Sequence, residues 1–78
     1  MSEVSQVPII AKGTYRHYKN KLYEVYGVAL HSETQEVLVV YRPLYESVAE
    51  FWVRPYEMFV ENVTIDGKSV PRFQKIDD

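Results

Sequence analysis

Between Val37 and Arg54 the chain reads VLVVYRPLYESVAEFWVR, and this stretch constrains the fold more than any other. Val37 to Tyr41 is rich in β-branched and aromatic residues and too short for a buried helix, which predicts a strand. Arg42-Pro43 ends that strand, because proline has no N–H to give to a ladder and restricts the residue before it. A second Arg-Pro pair, Arg54-Pro55, closes the short run Phe51-Trp52-Val53. The stretch therefore reads as a strand, a connection and a second strand. The connection, Tyr45 to Glu50, has room for one helical turn and not for a stable helix.

The flanking segments extend this pattern. Val7-Pro8-Ile9-Ile10 suits an edge strand, since Pro8 cannot donate to a ladder. Thr14 to Tyr18 alternates as a strand does, Lys19-Asn20-Lys21 is a polar turn, and Leu22 to His31 is strand again. Gly27 inside that strand predicts a bulge or a sharp bend. If the Ser32–Glu36 connection is centred near Thr34, Leu30 faces Leu38 and Val28 faces Val40. Both faces of the pair are then largely apolar, so the second face is expected to be covered by a terminal segment, a helical turn or a partner. Leu38 and Val40, with Phe51 and Val53, are expected to face the core. Pro55 to Val60 predicts a single helical turn with Met58 and Phe59 inward. Asp66-Gly67 is a hairpin signal between Val63-Thr64-Ile65 and Ser69-Val70. The expected architecture is all-β, a small five-stranded, SH3-like, partly open barrel with one short helical turn. An OB-like barrel ranks second. Residues 1–78 form a single domain in this reading, with 1–6 and 75–78 as frayed tails.

A chain of 78 residues buries only about 60% of its unfolded surface and needs extra support. It has no cysteine, which excludes disulfides and thiolate metal sites, and two histidines are too few for a structural zinc. Aromatics make up 14% of the residues, so ring packing is the expected support, with monomer and homodimer both open. The net charge of −2 gives no global attraction to duplex nucleic acid. No apolar run approaches the roughly 18 residues of a membrane helix. Glu3 and the lack of a basic residue before the first apolar run argue against a secretory signal, so the chain reads as cytoplasmic.

Four stretches taken together resemble the bacterial family known as domain of unknown function 1653. They are GTYRHYKNKLYEV (Gly13 to Val25), HSETQEVLVVYRPLY (His31 to Tyr45), FWVRPYEMF (Phe51 to Phe59) and VPRF (Val70 to Phe73). The resemblance implies a small single-domain protein and carries no activity, so no catalytic residues transfer with it.

Few residues group in ways that carry chemistry. His31-Ser32-Glu33 has the residue types of a nucleophile assembly, but adjacent residues at a strand end point to alternate faces. A turn in which Ser32 or Thr34 bonds local backbone N–H groups is the preferred reading. His17 and His31, with Glu33, lack the helical spacing of a zinc motif. Arg42 and Arg54 flank the central connection, and strands centred near Ser47 bring them together beside Tyr41 and Trp52. Guanidinium groups there can stack on rings and grip carboxylates or phosphates. The structural alternative is that Arg42, Arg54 and Arg72 pair with Glu24, Glu36, Glu50 or Glu57 and brace the barrel.

The candidate binding residues are therefore Tyr41, Arg42, Trp52, Arg54 and His31, with no catalytic or metal residue and no cofactor. The expected function is a small cytoplasmic binding or interaction module without catalytic activity, taking an anionic small molecule or a protein partner. The alternatives, in order, are three. A single-stranded RNA or DNA binder would use Arg16, Lys19, Lys21, Arg42 and Arg54. An interaction or homodimer module would use an exposed strip of Val37, Val39 and Tyr41. A small-molecule enzyme would use Glu33 or His31.

Overall fold

The computed structural model describes residues 7–46 and 49–76. The strands are β1 (Gly13–His17), β2 (Leu22–Leu30), β3 (Val37–Pro43) and β4 (Trp52–Pro55), followed by the helical turn α1 (Tyr56–Phe59). Then come β5 (Asn62–Ile65), β6 (Lys68–Pro71) and β7 (Phe73–Lys75). Five strands form one antiparallel sheet in the order β4-β3-β2-β1-β7, and β5 and β6 form a separate hairpin. β4 and β7 are the sheet's two edges, so the sheet stays open. This is the all-β, five-stranded, partly open arrangement with one helical turn that the sequence predicts.

Local chemistry explains the punctuation. The β1–β2 turn closes through His17 N–H to Lys21 O (2.8 Å), with Asn20 at φ 72°, a conformation asparagine tolerates better than most residues. Gly27, at φ 146°, sits at a bulge where the β2–β3 register shifts between Val25 and Gly27, leaving Tyr26 as the extra residue. Asp66 and Gly67, at φ 52° and 78°, make the two-residue turn that joins β5 to β6 with the twist a hairpin needs. A Cβ at Gly67 would touch nothing, so Gly67→Ala is expected to cost about 1 kcal/mol through backbone strain alone, checked by urea denaturation.

Several details depart from the sequence reading. The register across the β2–β3 loop is one residue tighter than expected: Leu30 pairs with Val37, Ala29 with Leu38 and Val28 with Val39. A one-residue slip exchanges the faces of a strand. Accordingly Val39, Tyr41 and Pro43 are the buried residues of β3, while Phe51 and Val53, expected inside, are half exposed. Val39 and Tyr41 of the strip Val37-Val39-Tyr41 are thus core and Val37 is half-buried, so the strip is not an exposed contact surface. Phe59 of α1 points inward as expected, but Met58 is exposed. Residues 7–10 form no strand, and Ile9 is almost fully exposed. At the other end Lys75 pairs with Tyr15, and Ile76 N–H bonds Thr14 O at 2.9 Å, where a frayed tail is expected. The helical turn expected over Tyr45 to Glu50 falls partly on Ser47 and Val48, which lie outside the described residues; Tyr45, Ala49 and Glu50 are bends and Glu46 has no regular structure. Residues 1–6 and 77–78 lie outside them too.

The core follows from these faces. Tyr15, Tyr23, Val25, Val39, Tyr41, Phe59 and Phe73 are buried, and five of these seven are aromatic, so ring packing holds the domain together. Phe59 stacks flat on Phe73 (4.0 Å, 6°) and meets Tyr15 and Tyr41 at steeper angles. Arg72 N–H to Glu61 O (3.0 Å) and an Arg72–Glu61 ion pair (2.6 Å) close the base of the β5–β6 hairpin, and Tyr18 N–H to Arg72 O (2.9 Å) ties it to the end of β1.

Candidate functional site

The β3–β4 register sets the site. Tyr41 pairs with Trp52 and Val39 with Arg54, so these side chains share the inner face of the sheet. Arg54 Nε donates to the Tyr41 hydroxyl at 3.3 Å, and its guanidinium carbon lies 5.5 Å from the centre of the Phe73 ring. Among the described residues no carboxylate comes within ion-pair distance of Arg54. Among the described residues its two terminal nitrogens make no hydrogen bond, and they are not sealed from solvent. A guanidinium tolerates such surroundings because it is delocalised, weakly hydrated and attracted to ring faces. It remains a cation with open donor positions.

Rings and hydroxyls surround it. Trp52 lies 6.2 Å from Tyr41 and 6.4 Å from Tyr23, centre to centre. The Tyr23 and Tyr45 hydroxyls are 3.0 Å apart, and Lys21 Nζ sits 5.1 Å from the Tyr45 ring. Burial, and then the bond with Tyr45, raise the Tyr23 phenol above its usual range, while Arg54 pulls it weakly the other way. Tyr23 is consequently a neutral donor and the reverse of an activated nucleophile. His17 is pushed below its ordinary value by burial, then by the charges of Arg54, Arg72 and Lys19. Its Nδ1 accepts the Lys19 backbone N–H at 3.1 Å, which suits the neutral ring. The fixed charge on this face is therefore positive.

The structure brings together three of the five residues singled out by sequence. Arg42 is on the opposite face, exposed and directly across from Glu24. The expected meeting of Arg42 and Arg54 fails for the same reason as the expected core: alternation along β3 separates Arg42 from the inner-facing Tyr41. His31 lies beyond the far end of β2, where Nδ1 accepts N–H groups from Glu33 (3.1 Å) and Thr34 (3.3 Å). Thr34 Oγ1 accepts the Glu36 N–H at 3.2 Å, so His31-Ser32-Glu33 is part of a turn, as preferred from sequence. His17 and His31 flank the two ends of β2, about 30 Å apart at the rise of a strand, and cannot share a metal. No group of three metal-ligating side chains occurs among the described residues.

Each arginine thus has its own answer. Arg72 braces the hairpin through Glu61, with its Nε buried and unpaired; Arg42 faces solvent; Arg54 has no carboxylate. Sequence reasoning missed three neighbours: Tyr23 on β2, beside β3, and His17 with Phe73, which meet on this face because β7 returns to pair with β1. Two concavities lie elsewhere. One of about 450 Å³ is lined by Glu36, Glu57 and Tyr56 with Pro8, Val37 and Pro55. The other, of about 280 Å³, lies between the sheet edge and the β5–β6 hairpin and is bordered by Arg16 and His17. No described helix is long and apolar enough to cross a membrane.

Comparison with known proteins agrees with the fold. The search against curated proteins finds no match. Among solved structures, the crystal structure of a DUF1653 protein from Bordetella bronchiseptica is similar, with a TM-score of 0.80 and 35% identity over 86% of this chain and 87% of that one. The family described as protein of unknown function (DUF1653) matches residues 13–75, which hold every strand and the whole inner face. On this match, and on the likeness of the Bordetella structure, the chain belongs to the DUF1653 family.

Proposed function

We propose that this domain is a cytoplasmic, non-catalytic binding module, SH3-like in architecture, that holds an anionic group at Arg54. The group belongs to a small molecule or a protein partner, and no cofactor is required. One observation carries the reading: a partly buried guanidinium, oriented by the Tyr41 hydroxyl and the Phe73 ring, has open donors and no carboxylate partner. A cation with open donors beside aromatic rings can grip an anion through charge-assisted bonds. Trp52, two residues away on the same face of β4, adds ring surface beside the cation, which favours an anion attached to a flat group.

Trp52 is the only tryptophan, so its emission reports on this face. Phenyl phosphate carries both an anion and a ring, and inorganic phosphate the anion alone. Titration at low salt is expected to change Trp52 emission saturably, at lower concentration for phenyl phosphate, and Arg54→Gln is expected to weaken the response by about tenfold or more. Circular dichroism of the variant checks that the fold survives. A response that is absent, or unchanged in folded Arg54→Gln, would overturn the reading.

A further inference from the structure

We propose a second ligand site, for a small oxyanion such as a phosphate or carboxylate, in the cavity between β1, β7 and the β5–β6 hairpin. This site is independent of Arg54 binding. The cavity measures about 280 Å³, enough for such a group with water, and its lining includes Arg16, His17 and Gln74 and no acidic residue. The larger concavity has the opposite chemistry, with Glu36 and Glu57 in its wall and no basic residue. An anion is therefore sorted to the smaller one.

Arg16 and His17 of β1 and Gln74 of β7 border it, Arg16 exposed and His17 buried. Arg16 and Gln74 are cross-strand partners on β1 and β7, so their side chains emerge side by side. Among the described residues Arg16 makes no ion pair or hydrogen bond through its guanidinium. His17 is the buried polar residue of the domain, at 8% exposure, and it borders this cavity. The Lys19 N–H occupies its Nδ1, which places the proton of the neutral ring on Nε2. Among the described residues Nε2 has no partner, and it keeps solvent access. A buried imidazole with one nitrogen fixed by backbone and the other open is held in position to donate a hydrogen bond. The depressed basicity of His17 keeps it neutral near pH 7, so the site's charge comes from Arg16. Ile65, Val70 and Pro71 form the apolar wall, which strengthens any charge-assisted bond made against it.

The test uses the full chain labelled with ¹⁵N-histidine and titrated with inorganic phosphate, and separately with acetate, against chloride at matched ionic strength. The His17 ring nitrogens are expected to shift saturably with at least one of the two oxyanions while His31, held in its own turn, stays still. Whichever responds gives the preferred source of the oxyanion. Arg16→Gln, an exposed change, is expected to weaken the response about tenfold, and Gln74→Glu to weaken it by adding a repelling carboxylate. Arg54→Gln should leave His17 still responsive, which separates this site from the one above. The proposal is overturned if His17 does not respond to either oxyanion, if its shifts only track ionic strength, or if folded Arg16→Gln responds like the parent.

Discussion

Replacing Phe59 with alanine should cost about 3–5 kcal/mol, most of what a domain this small has to lose. Phe59 is 1% exposed and is the one residue of α1 that enters the core. Its ring stacks on Phe73 at 4.0 Å and touches the edges of Tyr15 and Tyr41, so it joins β1, β3 and β7 across the inner face. Removing it leaves a cavity that a sheet fixed by ladders on both sides of β1 can only partly collapse. Chemical denaturation is expected to find Phe59→Ala largely unfolded in buffer or with its midpoint near zero denaturant. Met58→Ala, one residue earlier and exposed, should lie within about 0.5 kcal/mol of the parent.

A pair of charge substitutions tests the face assignment with a comparably large effect. Val39 is fully buried and Val53 is 56% exposed, although they sit on neighbouring strands. Val39→Lys would bury an ammonium among Tyr41, Phe59 and Val25, directly across from the like charge of Arg54, which costs several kcal/mol and is expected to unfold the domain. Val53→Lys would put the same charge on the outer face of an edge strand, at about 1 kcal/mol or less from lost strand propensity. Thermal unfolding of the two variants decides between this register and the alternative slipped by one residue, in which the two outcomes would be reversed.

That register is also where sequence reasoning reached its limit. Strands, turns and the hairpin were legible because each has a local cause: Gly27 at the bulge, Asn20 and Asp66-Gly67 at positive φ, proline at the ends of β3 and β4. The facing of β3 was not legible, because Val37 to Tyr41 is apolar at every position and offers no alternation to read. The only other clue was turn geometry, and a one-residue change there reversed the assignment. The candidate site inherited the same ambiguity. Tyr41, Trp52 and Arg54 belong together in the fold, while Arg42 was separated from them by the parity of a single strand. Phe73 and His17 could not be placed beside Arg54 from sequence, since that depends on β7 pairing with β1 across more than fifty residues of chain.

The central claim, that Arg54 holds an anionic group, has a direct observable in the Arg54 Nε–H, which the Tyr41 hydroxyl holds in place. In ¹H–¹⁵N spectra recorded during addition of phenyl phosphate, that signal and the Trp52 indole N–H should move together along one saturation curve. The backbone signals of Arg42, on the outer face, and of His31, in its turn, should stay in place. Stationary Arg54 and Trp52 signals at high probe concentration, or movement of Arg42 and His31 in their stead, would contradict the account.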